Sequence, residues 1–284
     1  MSLEDVIFIV NPNSGKKKSQ QVIDAIRIKA PESSIFISES KEHLEGFFAS
    51  EIQKFGIVVI CGGDGTVNSV LKYREHPNII FGILPLGSGD GFAREIGFTS
   101  DLELLLEKIN KRSFQETDIF SVNGKLSCNI IGIGFDSYVT NIFEQNKKRG
   151  LFSYVIAGVK AYINYKPIRA KITTDDSFIE SNYLMINAAN SRQFGNNAII
   201  APKAKLDSGK MEVVLVKRLP LYYIPLFLVK LFKGTLKDSK YIQYISTKTL
   251  KVESDFPFYH IDGETLSGSG TLNVEVSGKI KFLK

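Results

Sequence analysis

Gly56-Ile57-Val58-Val59-Ile60-Cys61-Gly62-Gly63-Asp64-Gly65-Thr66-Val67-Asn68-Ser69-Val70 sets the terms on which the rest of the chain is read. Ile57 to Cys61 are apolar and mostly β-branched, the composition of a strand buried on both faces. Three glycines and one aspartate follow, and Thr66 is expected to open a helix. Glycine permits positive φ and close approach of another molecule to the backbone. The amides and dipole of a helix start favour phosphate. Asp64 would repel a bare phosphate, but a divalent cation between them resolves the conflict, because Mg²⁺ takes oxygen ligands from both. The competing reading is a plain strand-to-helix turn in which glycine does steric work and Asp64 caps the helix. This stretch alone leaves the two level.

Upstream, Val6–Val10 reads as a strand that breaks at Asn11-Pro12-Asn13-Ser14-Gly15, with a helical pattern over 19–30. Ser14-Gly15-Lys16 is not a P-loop, because Val10 stands where that motif needs glycine. Ile35 to Ser38 is a second strand and His43 to Lys54 a helix with Leu44, Phe47, Phe48 and Ile52 on one face. Downstream, Ile79 to Leu84 is a strand that ends in Pro85-Leu86-Gly87-Ser88-Gly89-Asp90-Gly91, with a helix from about Phe92 and another over 102–109. Four alternations of strand and helix within the first hundred residues predict a doubly wound parallel sheet. Two glycine-rich loops then fall at the carboxyl ends of its strands, where such sheets bind ligands. That coincidence favours the phosphate reading.

After Lys111 the pattern changes. Asp118–Val122, Asn123-Gly124 and Leu126–Ile133 predict a hairpin with an Asn-Gly turn. Gly132-Ile133-Gly134 lacks the third glycine of a dinucleotide fingerprint and is expected to mark a close approach. A helix is predicted over 151–165. Strands are predicted over 168–174, 178–188, 211–216, 250–253 and 272–276, and a helix over 225–231. Short strands with turn signals predict an antiparallel sandwich or barrel. The expected division is residues 1–120 and 121–284, with the last strand free to pack back on the first domain and a site in the cleft between the two.

Across 284 residues, 43% hydrophobic and 23% charged residues are those of a soluble globular protein. A net charge of +6 suits an anionic partner. The basic clusters are too short to argue nucleic-acid binding. Two cysteines form no disulfide framework and suit a reducing cytosol. Met1-Ser2-Leu3-Glu4-Asp5 shows no signal-peptide pattern, and the apolar stretch 219–232 contains Pro220, Pro225 and Lys230 and is too short to span a bilayer. A cytoplasmic protein is expected, with peripheral access to the inner membrane face. Three scattered histidines make no metal site, and there is no Gly-x-Ser-x-Gly elbow. Phosphoryl transfer is what remains. It needs positioning, a metal to spread charge, and a carboxylate to receive a proton. Asp64, Asp90, Asp118, Asp136, Asp262 and Glu264 are the candidate carboxylates.

Four segments, taken together, carry a resemblance. Val10-Asn11-Pro12-Asn13-Ser14-Gly15, Gly62-Gly63-Asp64-Gly65-Thr66-Val67-Asn68, Leu84-Pro85-Leu86-Gly87-Ser88-Gly89 and Ile261-Asp262-Gly263-Glu264 occur in that order. The chain resembles the diacylglycerol kinase catalytic-domain family, which includes bacterial lipid kinases and sphingosine kinases. The resemblance implies a three-layer Rossmann-like nucleotide-binding domain followed by an antiparallel β-sandwich. It implies an ATP- and Mg²⁺-dependent lipid kinase acting on the hydroxyl of a diacylglycerol, sphingoid or related lipid. On it, Asn11, Pro12, Asn13, Ser14, Gly15 and Ser38 lie near the nucleotide. Gly62, Gly63, Asp64, Gly65, Thr66, Val67, Asn68 and Ser69 cradle phosphate, joined by Gly87, Ser88 and Gly89. Asp64 and Asp118 are assigned to magnesium, where Asp90 either takes the role of the usual second-loop aspartate or leaves the network one carboxylate fewer. The base is sought in the pair Asp262 and Glu264, with Glu264 favoured and Asp262 as its partner.

Two departures from the family pattern stand out. Relatives usually read Gly-Thr-x-Asn-Asp in the second loop, whereas this chain has Gly87-Ser88-Gly89-Asp90-Gly91, closer to sphingosine kinases. Ser208 occupies the place of an aspartate that helps to hold a structural magnesium in many relatives, so that ion is not expected here. The other readings are an NAD kinase-like enzyme with a soluble acceptor and a nucleotide-binding sensor that has lost catalysis. The expected partner is lipid at a membrane surface, with no nucleic acid, and a homodimer is allowed. Leu221, Tyr222, Tyr223, Leu226, Phe227 and Phe232 are candidates for membrane contact.

Overall fold

A computed structural model describes residues 3–12, 18–74, 76, 78–87, 90–145, 158–159, 161–268 and 270–284. The chain forms two compact units, residues 1–117 with 278–284, and residues 118–277.

In the first unit β1 (Val6–Val10), β2 (Ser34–Ile37), β3 (Ile57–Gly62) and β4 (Ile80–Pro85) form a parallel sheet in the order β2-β1-β3-β4. The apolar runs of β1 and β3 are buried throughout, as parallel strands covered on both faces require. Register aligns Val10 with Ile37 and with Cys61, and Gly62 with Pro85. All four strands therefore end at one edge. Between them run α1 (Lys18–Lys29), α2 (Lys41–Ser50) and α3 (Asp64–Val70), followed by α4 (Gly91–Glu95) and α5 (Leu102–Lys111). Ser40 caps α2 by accepting from His43 N, and Asp101 caps α5 by accepting from Glu103 N. The C-terminal residues add a further parallel strand beside β4, pairing Phe282 with Phe81.

The second unit is antiparallel. It takes in part of β5 (Phe114–Val122), then β6 (Lys125–Ser127), β7 (Ile130–Gly134), α6 (Phe135–Gln145), β8 (Ile168–Thr174), β9 (Phe178–Tyr183), β10 (Met185–Ala189) and β11 (Met211–Val216). It continues through α7 (Ile224–Lys233), β12 (Ile242–Thr247), β13 (Thr249–Ser254), β14 (Phe258–Ile261), β15 (Glu264–Ser267) and part of β16 (Thr271–Leu283). One sheet pairs β16, β13, β8 and β9, and the other runs β12-β11-β10-β7-β14-β15. Ile131, Ile133, Ile172, Ile186, Val214, Val252 and Leu272 belong to one apolar core.

The predicted Asn-Gly hairpin is present, with positive φ at Asn123 (49°) and Gly124 (83°). Two strands read as continuous are each broken. The stretch 126–133 divides at Cys128-Asn129 into β6 and β7, and 178–188 divides at Leu184 into β9 and β10; each break carries the chain from one sheet to the other. The third helix opens at Asp64 rather than Thr66, with Gly63 in the cap position. Gly132 does mark a close approach: a Cβ there would stand 1.9 Å from Asp136 Oδ2 and 2.4 Å from His260 Nε2. Of the predicted 151–165 helix, only 158–159 and 161–164 fall on described helical residues.

Candidate active site

The loops after β1, β2, β3 and β4 meet at the carboxyl edge of the parallel sheet. Asn11 N donates to Cys61 O (3.2 Å), Ser38 N to Val10 O (2.9 Å) and Leu86 N to Gly62 O (3.1 Å), so each loop is hung from its neighbouring strand. Asn11 Nδ2 reaches across to Thr66 Oγ1 at 3.3 Å. Thr66 folds back over Gly62 so closely that a Cβ at Gly62 would lie 2.6 Å from its Oγ1. Glycine at 62 is thus a packing requirement of the loop as well as a conformational freedom.

Asp90 and Asp64 belong to the same pair of loops. Asp90 is buried, and its Oδ1 would stand 2.7 Å from a Cβ at Gly87 and 3.6 Å from one at Gly63. Asp64 Oδ2 accepts from Gly91 N at 3.3 Å. Two carboxylates therefore converge where the glycines bring backbone close. No group of three or more His, Cys, Asp or Glu side chains that could hold a metal occurs among the described residues. Two carboxylates nevertheless fit Mg²⁺, which is usually held by one or two of them together with substrate phosphates and water.

Other predicted contacts of this edge divide by where their side chains point. Val67 is buried, Ser69 Oγ donates to Thr66 O (2.7 Å), and Ser38 Oγ donates to Ser40 O (3.2 Å). Pro12 O accepts from Ser19 Oγ, which ties the first loop to α1. Gly65 is exposed, and Asn68 is half-buried. Asn13, Ser14, Gly15, Ser88 and Gly89 lie outside the described residues. Cys61 is fully buried, which pushes its thiol well above the usual range and makes it inert.

The remaining acids lie in the second unit. Asp262-Gly263 forms the turn of the β14–β15 hairpin, with positive φ at both residues (51° and 88°). The Asp262 carboxylate accepts from Ser127 Oγ (2.6 Å), Asn129 N (3.0 Å) and Cys128 N (3.2 Å). It thus pins the hairpin to the break between β6 and β7. Asp118 is fully buried; its Oδ2 accepts from Gly209 N at 2.6 Å and its N donates to Leu206 O at 2.5 Å. Asn190 Nδ2 bridges Asp118 O (2.7 Å) and Cys128 O (2.8 Å), joining the surroundings of the two acids. Ser208, in the position of the missing aspartate, donates to the carbonyls of Lys205 and Lys210, closing its turn with the chain's own groups. Glu264 differs from all of these: it is exposed and makes no side-chain hydrogen bond or ion pair among the described residues.

Sequence reading did not single out Ser127, Asn129, Asn187 or Asn190. A second polar cluster was legible only in part, through Asp136 as a candidate carboxylate and Gly132 as a close approach. Asn187, Gly132 and His260 lie side by side on β10, β7 and β14, and Asp136 fills the space above the glycine. Asp136 Oδ2 meets His260 Nε2 at 3.0 Å and accepts from Asn187 Nδ2. All three side chains are buried.

Both halves of the chain match known domain families. Residues 5–122 match the diacylglycerol kinase catalytic domain, and residues 129–281 match the YegS C-terminal NAD kinase beta sandwich-like domain. The chain is 26% identical over 279 residues to a Shewanella frigidimarina protein named "Probable lipid kinase YegS-like", covering 93% of this chain and 88% of that protein. It is 24% identical over 267 residues to a diacylglycerol kinase of Staphylococcus saprophyticus, covering 90% and 88%. Its fold is similar to the crystal structure of a diacylglycerol kinase from Bacillus anthracis, with TM-score 0.74 at 20% identity over 100% of this chain and 97% of that one. The chain belongs to the family of lipid kinases in which a diacylglycerol kinase catalytic domain is followed by a YegS-type β-sandwich domain.

Proposed function

We propose that this lipid kinase transfers the γ-phosphoryl group of ATP to the hydroxyl of a diacylglycerol, sphingoid or related lipid, with Glu264 as proton acceptor. The observation that carries the reading is the contrast between the two acids of Asp262-Gly263-Glu264. Asp262 is occupied by three donors, whereas Glu264 is exposed and free to meet a substrate. A base must reach the proton it removes, and that supports Glu264 over Asp262.

In this reading the loops after β1, β3 and β4 hold the donor's phosphates through backbone amides. Gly62, Gly63 and Gly87 let that backbone come close, and Asn11 and Thr66 fix the first loop against the second. Asp64 and Asp90 are the carboxylates that would hold Mg²⁺, which when bound spreads the charge of the transferring phosphoryl group. Asp118 is buried, and its carboxylate holds the turn at Gly209. Glu264 takes the proton of the lipid hydroxyl as its oxygen attacks. Turnover of Glu264→Gln tests this assignment. It is expected to fall by about a hundredfold or more, with the KM for ATP changed less than about threefold. Turnover near that of the parent would remove Glu264 from the reaction.

A further inference from the structure

From Lys217 to Lys237 the chain carries five basic residues and no acidic one. The stretch contains a 3-10 turn, Leu221–Tyr223, and α7. One face of α7 buries Phe227 and Leu231 in the apolar core of the second unit, with Ile224 and Leu228 packed beside them. A helix lying on a water-facing surface ordinarily carries polar side chains on its opposite face. Here that face presents Leu226 at 46% exposure and Val229 at 51%, continuing from Leu221 at 63% and Tyr222 at 80%. Tyr222, Leu226 and Val229 recur at intervals of four and three and form one stripe. Ile163, 63% exposed, extends the patch: it shares with Leu221 and Arg218 the lining of a cavity of about 330 Å³. Residues 158–171, to which Ile163 belongs, also contain no acid.

We propose that this surface docks the second unit on a bilayer that carries anionic lipid. The proposal rests on the lipid-kinase reading, because an enzyme whose acceptor is a membrane lipid has to work at the bilayer. Charge selects the occupant. A second copy of the chain seated on the same patch would set one basic, acid-free stretch of chain against another. Anionic headgroups instead complement the basic residues of the stretch, among them Lys217, Lys230, Lys233 and Lys237. Tyr222 and the aliphatic stripe enter the headgroup boundary, as in other interfacial helices.

Flotation with vesicles of mixed phosphatidylglycerol and phosphatidylcholine tests the proposal, with pure phosphatidylcholine vesicles alongside. The wild-type chain is expected to float with the anionic vesicles, less so as salt rises. The Tyr222→Ser/Leu226→Ser/Val229→Ser variant is expected to lose about tenfold or more in partitioning, with its thermal midpoint and its transfer to a detergent-dispersed short-chain lipid unchanged. Equal flotation of variant and wild type overturns the proposal, as does failure of the wild type to float. A wild-type dimer that the variant dissociates, with flotation unaffected, assigns the stripe to a second copy and overturns it too. Flotation is read without turnover. Docking with no transfer to any lipid therefore counts against the kinase reading alone.

Discussion

The Asp262 carboxylate accepts from Ser127, Cys128 and Asn129 while the Glu264 side chain stands in solvent. The two acids should respond differently to loss of charge. Asp262→Ala leaves three donors around the hairpin without their acceptor and is expected to lower unfolding free energy by about 2–4 kcal/mol in urea titrations. Glu264→Gln should leave the same titration within about 0.5 kcal/mol. In the first unit, Asp64→Asn is expected to cut transfer by about a hundredfold or more while nucleotide still binds weakly by calorimetry; unchanged turnover would refute a metal role for Asp64. Gly62-Gly63-Asp64 could be read from sequence because the whole device lies within a few adjacent residues. The anchoring of Asp262 could not, since Ser127 and Asn129 lie more than a hundred residues away and carry no local signal of their partner. Read alone, Asp-Gly announces a hairpin turn. That turn is present, and the structure adds what its aspartate is doing.

Among the elements, the parallel strands were the most legible because a run buried on both faces is apolar without interruption. The breaks at Cys128-Asn129 and Leu184 were hidden for the same reason. Both lie within or beside apolar runs, and hydropathy does not mark a strand that changes sheets. At Leu184 the backbone N donates to Val216 O (2.7 Å) and the carbonyl accepts from Phe135 N (2.9 Å), partners that the neighbouring sequence does not reveal. The start of β1 makes a prediction of its own. Arg112 Nη1 and Nη2 donate to Asp5 Oδ2 and Oδ1 (2.7 and 2.6 Å), and Asp5 O accepts from Gly56 N and Ile57 N. The guanidinium holds the Asp5 carboxyl below its ordinary range. A depressed carboxylate stabilises the fold above its unfolded-state pKa and loses that contribution as pH falls through the folded value. The pair is partly exposed, so Asp5→Asn should cost about 0.5–1 kcal/mol at neutral pH. Chemical denaturation should show that difference shrinking below about pH 4.

Over the whole molecule, the basic balance of +6 and the acid-free stretch 217–237 suit an enzyme of anionic surfaces and anionic nucleotides. Among the described residues no helix is long and apolar enough to cross a membrane. The glycine-rich loop after β3 offers backbone amides and one carboxylate, features suited to phosphate, so it supports a donor more strongly than an acceptor. What adds the lipid is the match of the two halves of the chain to a diacylglycerol kinase catalytic domain and a YegS-type sandwich domain. The altered second loop still sets a carboxylate beside the glycines, since Asp90 stands next to Gly63 and Gly87. The most direct measurement is transfer of radiolabel from γ-labelled ATP and magnesium to a bacterial lipid extract, with NAD offered in a parallel reaction. The account predicts label in a chloroform-soluble phospholipid and none in NAD. Label confined to NAD, or nucleotide binding with no transfer to either acceptor, would contradict it.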